Sequence, residues 1–100
     1  MEEQKITDTG SQSHLIELLD LQRRLGRFAI SRKLVEQTPD AVMRALSNCI
    51  VVHCEQLYEY DAFAYVALSP LFAVVPQGQK ANDYQILFTE YSKAIHFERV

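Results

Sequence analysis

A change of periodicity near Cys49 constrains this chain more than any other feature. Before it, apolar residues return at helical spacing; after it, they alternate. From Cys49 to Tyr60, Ile50, Val52, Cys54, Tyr58 and Tyr60 fall on one side, interrupted by Gln56. Val51, His53, Glu55, Leu57 and Glu59 fall on the other. Such alternation is the signature of a half-buried strand. Cys54, Leu57, Tyr58, Ala62, Tyr65 and Val66 also fit a helical stripe, so residues 54–69 admit both readings. The dominance of Ile, Val, Tyr and Phe favours the pleated one.

Upstream, Leu15, Leu18, Leu21 or Gln22, Leu25 and Phe28 predict a helix from about His14, with Ser11 or Ser13 as its cap. Gly26 costs about 1 kcal/mol inside a helix, so this helix either continues to about Gln37 or kinks there. Thr38-Pro39-Asp40 is a strong helix start. Threonine caps, proline suits the first helical position, and an acid suits the positive end of the dipole. The second helix is expected to end near Ser47, with Asn48 as its stop.

Further strands are expected at Phe63–Leu68, Leu71–Val75, Tyr84–Thr89 and from Ile95 on, separated by Ser69-Pro70, Pro76-Gln77-Gly78, Asn82-Asp83 and Glu90–Lys93. Helices followed by a run of strands give an α+β domain. The expected architecture is two N-terminal helices packed on an antiparallel sheet of about four to five strands. Residues 1–12 are read as a flexible arm and residues 13–100 as a single domain. The helices would cover one sheet face, leaving acidic and aromatic residues mainly on the other.

The chain has 100 residues, a formal charge of −3 and an apolar fraction of 48%, which suits one ordinary domain. The two cysteines, Cys49 and Cys54, make a poor disulfide framework and suit a reducing compartment. No apolar run has the length of a spanning helix, and residues 1–5 lack the apolar core of a signal peptide. A cytoplasmic location without membrane contact is expected.

No motif in the sequence carries catalysis or metal binding. His53-Cys54-Glu55 suggests a metal cluster, but on a strand Cys54 points away from the other two. Cys54 with His96 would form a nucleophile and base only if their strands brought them together. There is no Gly-x-Ser-x-Gly elbow, and the glycines at 10, 26 and 78 build no phosphate-binding loop. No cofactor is expected.

Two charged stretches are candidate contact surfaces. Arg23, Arg24, Arg27, Arg32 and Lys33 place five positive charges within eleven residues, with no acid among them. On a helix, Arg23, Arg24 and Arg27 would adjoin and could meet phosphates or an acidic protein. Glu55, Glu59 and Asp61 form an acidic edge beside Tyr58 and Tyr60, and tyrosine is a frequent interface anchor. The abundant rings downstream resemble a stacking platform for single strands, yet no lysine or arginine occurs from Glu55 to Gln79.

The run Phe63-Ala-Tyr65-Val-Ala-Leu-Ser69-Pro70-Leu71-Phe72, then Val75-Pro76-x-Gly78 and Tyr84, resembles small accessory proteins encoded by tailed bacteriophages and prophages. The likeness is confined to the C-terminal half, and its motifs are structural. It implies action inside a bacterial host, commonly by binding and blocking a host protein. The expected function is thus a small non-enzymatic protein-binding module, a phage-type inhibitor or modulator, with homo-oligomerisation a further expectation. The alternatives are a nucleic-acid-binding accessory protein using Arg23–Lys33 and a small-molecule or nucleotide-binding module.

Overall fold

The computed structural model describes residues 20–100. The expected arm, the caps Ser11 and Ser13, His14 and most of the first expected helix lie outside the described residues. Asp20 and Leu21 are helical, and a turn follows.

The elements in chain order are β1 (Leu25–Ser31), α1 (Arg32–Gln37), α2 (Pro39–Leu46), β2 (Ile50–Leu57), a 3-10 turn (Tyr58–Tyr60), β3 (Ala62–Leu68), β4 (Asn82–Thr89) and β5 (Ala94–Arg99). The strands form one five-stranded sheet in the order β2-β3-β1-β4-β5. The class is α+β.

Three expectations about the elements and their pairing are corrected. First, residues 25–31 are a strand, not the second half of a helix, so the two helices described in full follow β1 instead of preceding the sheet. Gly26, Phe28 and Ile30 are buried, while Arg27, Ala29 and Ser31 are exposed. That alternation places Phe28 and Ile30 together on the core face of the sheet. Second, the sheet is mixed: β1 runs parallel to β4, and the other neighbours are antiparallel. The long excursion from β3 to β4 carries the chain across β1, so its direction is not set by a tight turn. Third, Leu71–Val75 is not a strand. Ser69 and Phe72 are buried there, and the Ser69 carbonyl accepts from the Phe72 N–H at 3.1 Å. The segment folds inward as a plug, and the Ser69-Pro70 break starts it.

The boundary at Thr38-Pro39-Asp40 holds, though by a different bond. Ser31 Oγ caps α1, accepting from the Leu34 N–H at 3.1 Å. Thr38 makes no cap bond to α2; its hydroxyl donates back to the Leu34 carbonyl at 2.9 Å. Pro39 opens α2 and Asp40 lies in its first turn. Ser47 and Asn48 close it, both donating to the Arg44 carbonyl.

The core lies between one sheet face and the helices. Phe28, Ile30, Val42, Ala67, Phe72 and Tyr84 form its centre, with Leu34, Val35, Leu46, Ile86, Ile95 and Phe97 packed around them. The Phe72 ring meets Phe28, Tyr84 and Phe97 at centroid separations of 6.0, 4.5 and 5.2 Å. Phe28 stacks on Tyr65 and meets Phe97 edge-on. The aromatic residues therefore gather mainly on the helix-covered face, correcting the expectation that they occupy the open one. Ring-to-ring packing consumes them.

Candidate functional site

Register decides which groups of β2 are free. The Arg32 N–H donates to the Asp61 carbonyl, and the Ser69 N–H to the Arg24 carbonyl. Both bonds fall on the β1–β3 register, which pairs Ser31 with Ala62 and Leu25 with Leu68. The odd-numbered residues of β3 thus turn their backbone groups to β1, and the even-numbered ones turn theirs to β2. His53, Glu55 and Leu57 sit opposite Val66, Ala64 and Ala62. Their N–H and C=O groups are spent on β3. Those of Cys54 and Gln56 point outward, where no described strand lies.

The whole of β2 is correspondingly bare. Ile50 through Gln56 are exposed, with Ile50 at 56% and Val52 at 60% of full accessibility. A long, apolar, uncovered edge is a template for another strand. The opposite edge is treated differently. α2 packs against β5, and Arg44 Nη2 donates to the Lys93 carbonyl at 2.9 Å.

The register shifts between Val51 and His53, leaving Val52 as a bulge. Ile50 therefore lies on the open face with Leu68, while Cys54 lies on the core side with Tyr65. The sequence pattern had put Ile50 and Cys54 on one side; the extra residue moves them apart. Tyr58 and Tyr60 leave the strand altogether. They sit in the 3-10 turn at the hairpin tip, 80% and 75% exposed.

The acidic candidates are brought together at this hairpin. Glu55 lies on β2, Glu59 in the turn, and Asp61 closes it in a left-handed conformation at φ 50°. His53 and Glu55 share the open face, with Nε2 3.6 Å from Oε1.

The basic candidates are dispersed. Arg23 and Arg24 lie before β1, Arg27 on β1, and Arg32 and Lys33 on α1. Arg24 pairs with Asp20 at 2.8 Å and donates to the Phe72 carbonyl. Arg27 pairs with Asp83 at 2.8 Å across the parallel β1–β4 contact. Arg32 pairs with Asp61 at 2.9 Å, so a member of each expected surface meets the other. The Arg24–Asp20 pair is local, four residues apart, whereas the Arg27–Asp83 and Arg32–Asp61 pairs depend on strand neighbours, which local sequence does not encode.

Cys54 and His96 cannot cooperate. They lie on the two outer strands, four strand spacings or roughly 19 Å apart. Cys49 is half-buried, and burial pushes its thiol above the ordinary range, opposed by a hydrogen bond with Ser69. Tyr65 is raised chiefly by burial, with the neighbouring Cys54 adding to the effect. Among the described residues, no group of three His, Cys, Asp or Glu side chains could hold a metal ion, and no helix is long and apolar enough to cross a membrane.

The concave features are open surface clefts. One of about 410 Å³ lies between Gln22–Leu25 and Val75–Gln79. Another of about 380 Å³ lies on the open sheet face, floored by Ala29, Ala64 and Val66 between His53-Glu55 and Arg27-Asp83.

Sequence reasoning missed Ile50, Val51, Val52 and Gln56 as surface residues. Their exposure follows from β2 being outermost, which alternation alone does not signal. No protein-family model, curated protein or solved structure matches the chain.

Proposed function

We propose that the protein is a non-enzymatic protein-binding module that engages its partner along the outer edge of β2 and the adjoining hairpin tip. The observation that carries this reading is the exposure of the whole β2 edge beside two nearly bare tyrosines, Tyr58 and Tyr60. An extended segment adds to such an edge through backbone hydrogen bonds, and side chains at the margin supply selectivity. Tyr58 and Tyr60 serve as anchors, and Glu55 and Glu59 favour a basic partner surface.

The more specific version is a phage-type inhibitor or modulator of a host protein, acting in the bacterial cytoplasm. Its support is the resemblance over Phe63–Tyr84. The nucleic-acid reading is weaker, because Arg24, Arg27 and Arg32 each face a carboxylate and do not form one basic surface.

A pulldown from bacterial lysate tests the reading with three proteins: the unaltered chain, Tyr58→Ala with Tyr60→Ala, and a charge reversal at Arg23, Arg24 and Arg27. The tyrosine variant is expected to lose the retained proteins and the arginine variant to keep them. Retention of every protein by the tyrosine variant overturns the assignment to this edge.

A further inference from the structure

We propose that the strand completing the β2 edge is β2 of a second copy, antiparallel, about a two-fold axis at Cys54. The inference rests on the reading of β2 as a recognition edge and names its occupant. The argument is one of register. Only residues whose backbone groups point outward can form the hydrogen-bonded pairs of a new ladder, and in the regular part of β2 these are Cys54 and Gln56.

Symmetry then leaves few choices. Centring the axis on Glu55 sets Glu55 against Glu55, and like charges directly opposite each other are unfavourable. Centring it on His53 sets Cys54 against the bulged Val52 and Glu55 against Val51, which leaves the outward-facing groups without a regular partner. Centring it on Gln56 carries Cys54 against Tyr58, which has already left the strand for the 3-10 turn. Centring it on Cys54 pairs the outward-facing groups of Cys54 with their own symmetry mates. It also sets each His53 against the Glu55 of the other copy, at the non-hydrogen-bonded positions where side chains come closest. His53 and Glu55 share the open face, 61% and 59% exposed, and already approach to 3.6 Å within one copy, so the dimer exchanges that imidazole–carboxylate contact for the same contact across the axis.

The same register brings Val51 and Val52 of one copy beside Leu57 and Gln56 of the other. The bulge at Val52 keeps the regular ladder short and centred on residues 53–55. The two sheets become one continuous sheet with both β5 strands outermost, each in contact with its own α2. The interface is isologous and closes, so it predicts dimers and not filaments.

The test uses the full chain and measures solution mass by sedimentation. The unaltered protein is expected to be a dimer at high concentration. His53→Glu sets two carboxylates opposite each other twice and is expected to weaken the dimer by about tenfold or more. Adding Glu55→Lys to His53→Glu restores opposite charges in the same register and is expected to restore the dimer. In a Cys49→Ala background, a short bismaleimide is expected to join Cys54 to Cys54. Three outcomes overturn the proposal: a monomeric unaltered protein, a dimer indifferent to His53→Glu, or a dimer in which Cys54 fails to cross-link. If the protein is monomeric but still loses captured proteins with the tyrosine variant, the second-copy proposal falls and the binding edge stands.

Discussion

Phe72 lies flat against the backbone of Gly26: a methyl group built on Gly26 would stand 2.7 Å from Phe72 Cδ2 and 2.9 Å from Cγ and Cε2. The glycine is required by close approach, since its strand conformation is open to any residue. The plug segment could not otherwise reach the sheet.

Gly26→Ala is therefore expected to destabilise the fold by about 1–3 kcal/mol, the usual cost of forcing atoms into a packed core. Its neighbours Phe28, Tyr84 and Phe97 leave the ring little room to retreat. Urea denaturation reads the shift in midpoint. A midpoint equal to that of the unaltered protein would remove Phe72 from this position.

Tyr84 holds the other end of the plug, its hydroxyl accepting from the Ala73 N–H at 2.8 Å. Tyr84→Phe keeps the ring and leaves that N–H without its acceptor, at a cost of about 1 kcal/mol. Hydrogen exchange at Ala73 should accelerate, while exchange in the β1–β3 ladder follows only the change in global stability.

Ser31 ends β1 and caps α1 in one step. Ser31→Ala is expected to cost about 1 kcal/mol. Ser31→Asp should be close to neutral, because a carboxylate serves as the same cap. An equal loss from both variants would mean that the cap bond contributes little to α1.

The cysteines should separate by reactivity and by pH. Cys54 is exposed and Cys49 half-buried, so a thiol reagent is expected to label Cys54 first. The folded Cys49 thiol titrates above its ordinary value of 9.0. As pH rises above about 9, the unfolded chain loses this proton before the folded one does, and stability falls. Cys49→Ala should flatten the early part of that decline. Tyr65, also raised in the folded state, governs the later part.

Local chemistry was legible where one short segment decides it. Thr38-Pro39-Asp40, the strand at Phe63–Leu68, and the connection at Glu90–Lys93 all read directly from the sequence. Gly26, Phe28 and Ile30 alternate too, but three residues fit a helical stripe as well when Leu18 and Leu21 precede them. In Leu71–Val75, Phe72 and Val75 are apolar because they fill the core, not because the segment forms a strand, and Leu71 and Val74 remain exposed. The parallel β1–β4 contact and the outer place of β2 rest on long-range packing, for which neighbouring residues give no cue. For the same reason Glu55, Tyr58, Glu59, Tyr60 and Asp61 could be found as a group, while Ile50, Val51 and Val52 could not be recognised as exposed.

Amide exchange along β2 tests the central claim most directly. In dilute protein without a partner, His53, Glu55 and Leu57 are expected to exchange slowly, and Cys54 and Gln56 quickly. Raising the concentration or adding a captured partner should slow Cys54 and Gln56 alone. Slow exchange at Cys54 and Gln56 in the dilute protein would mean that the edge is already closed, and would contradict the account.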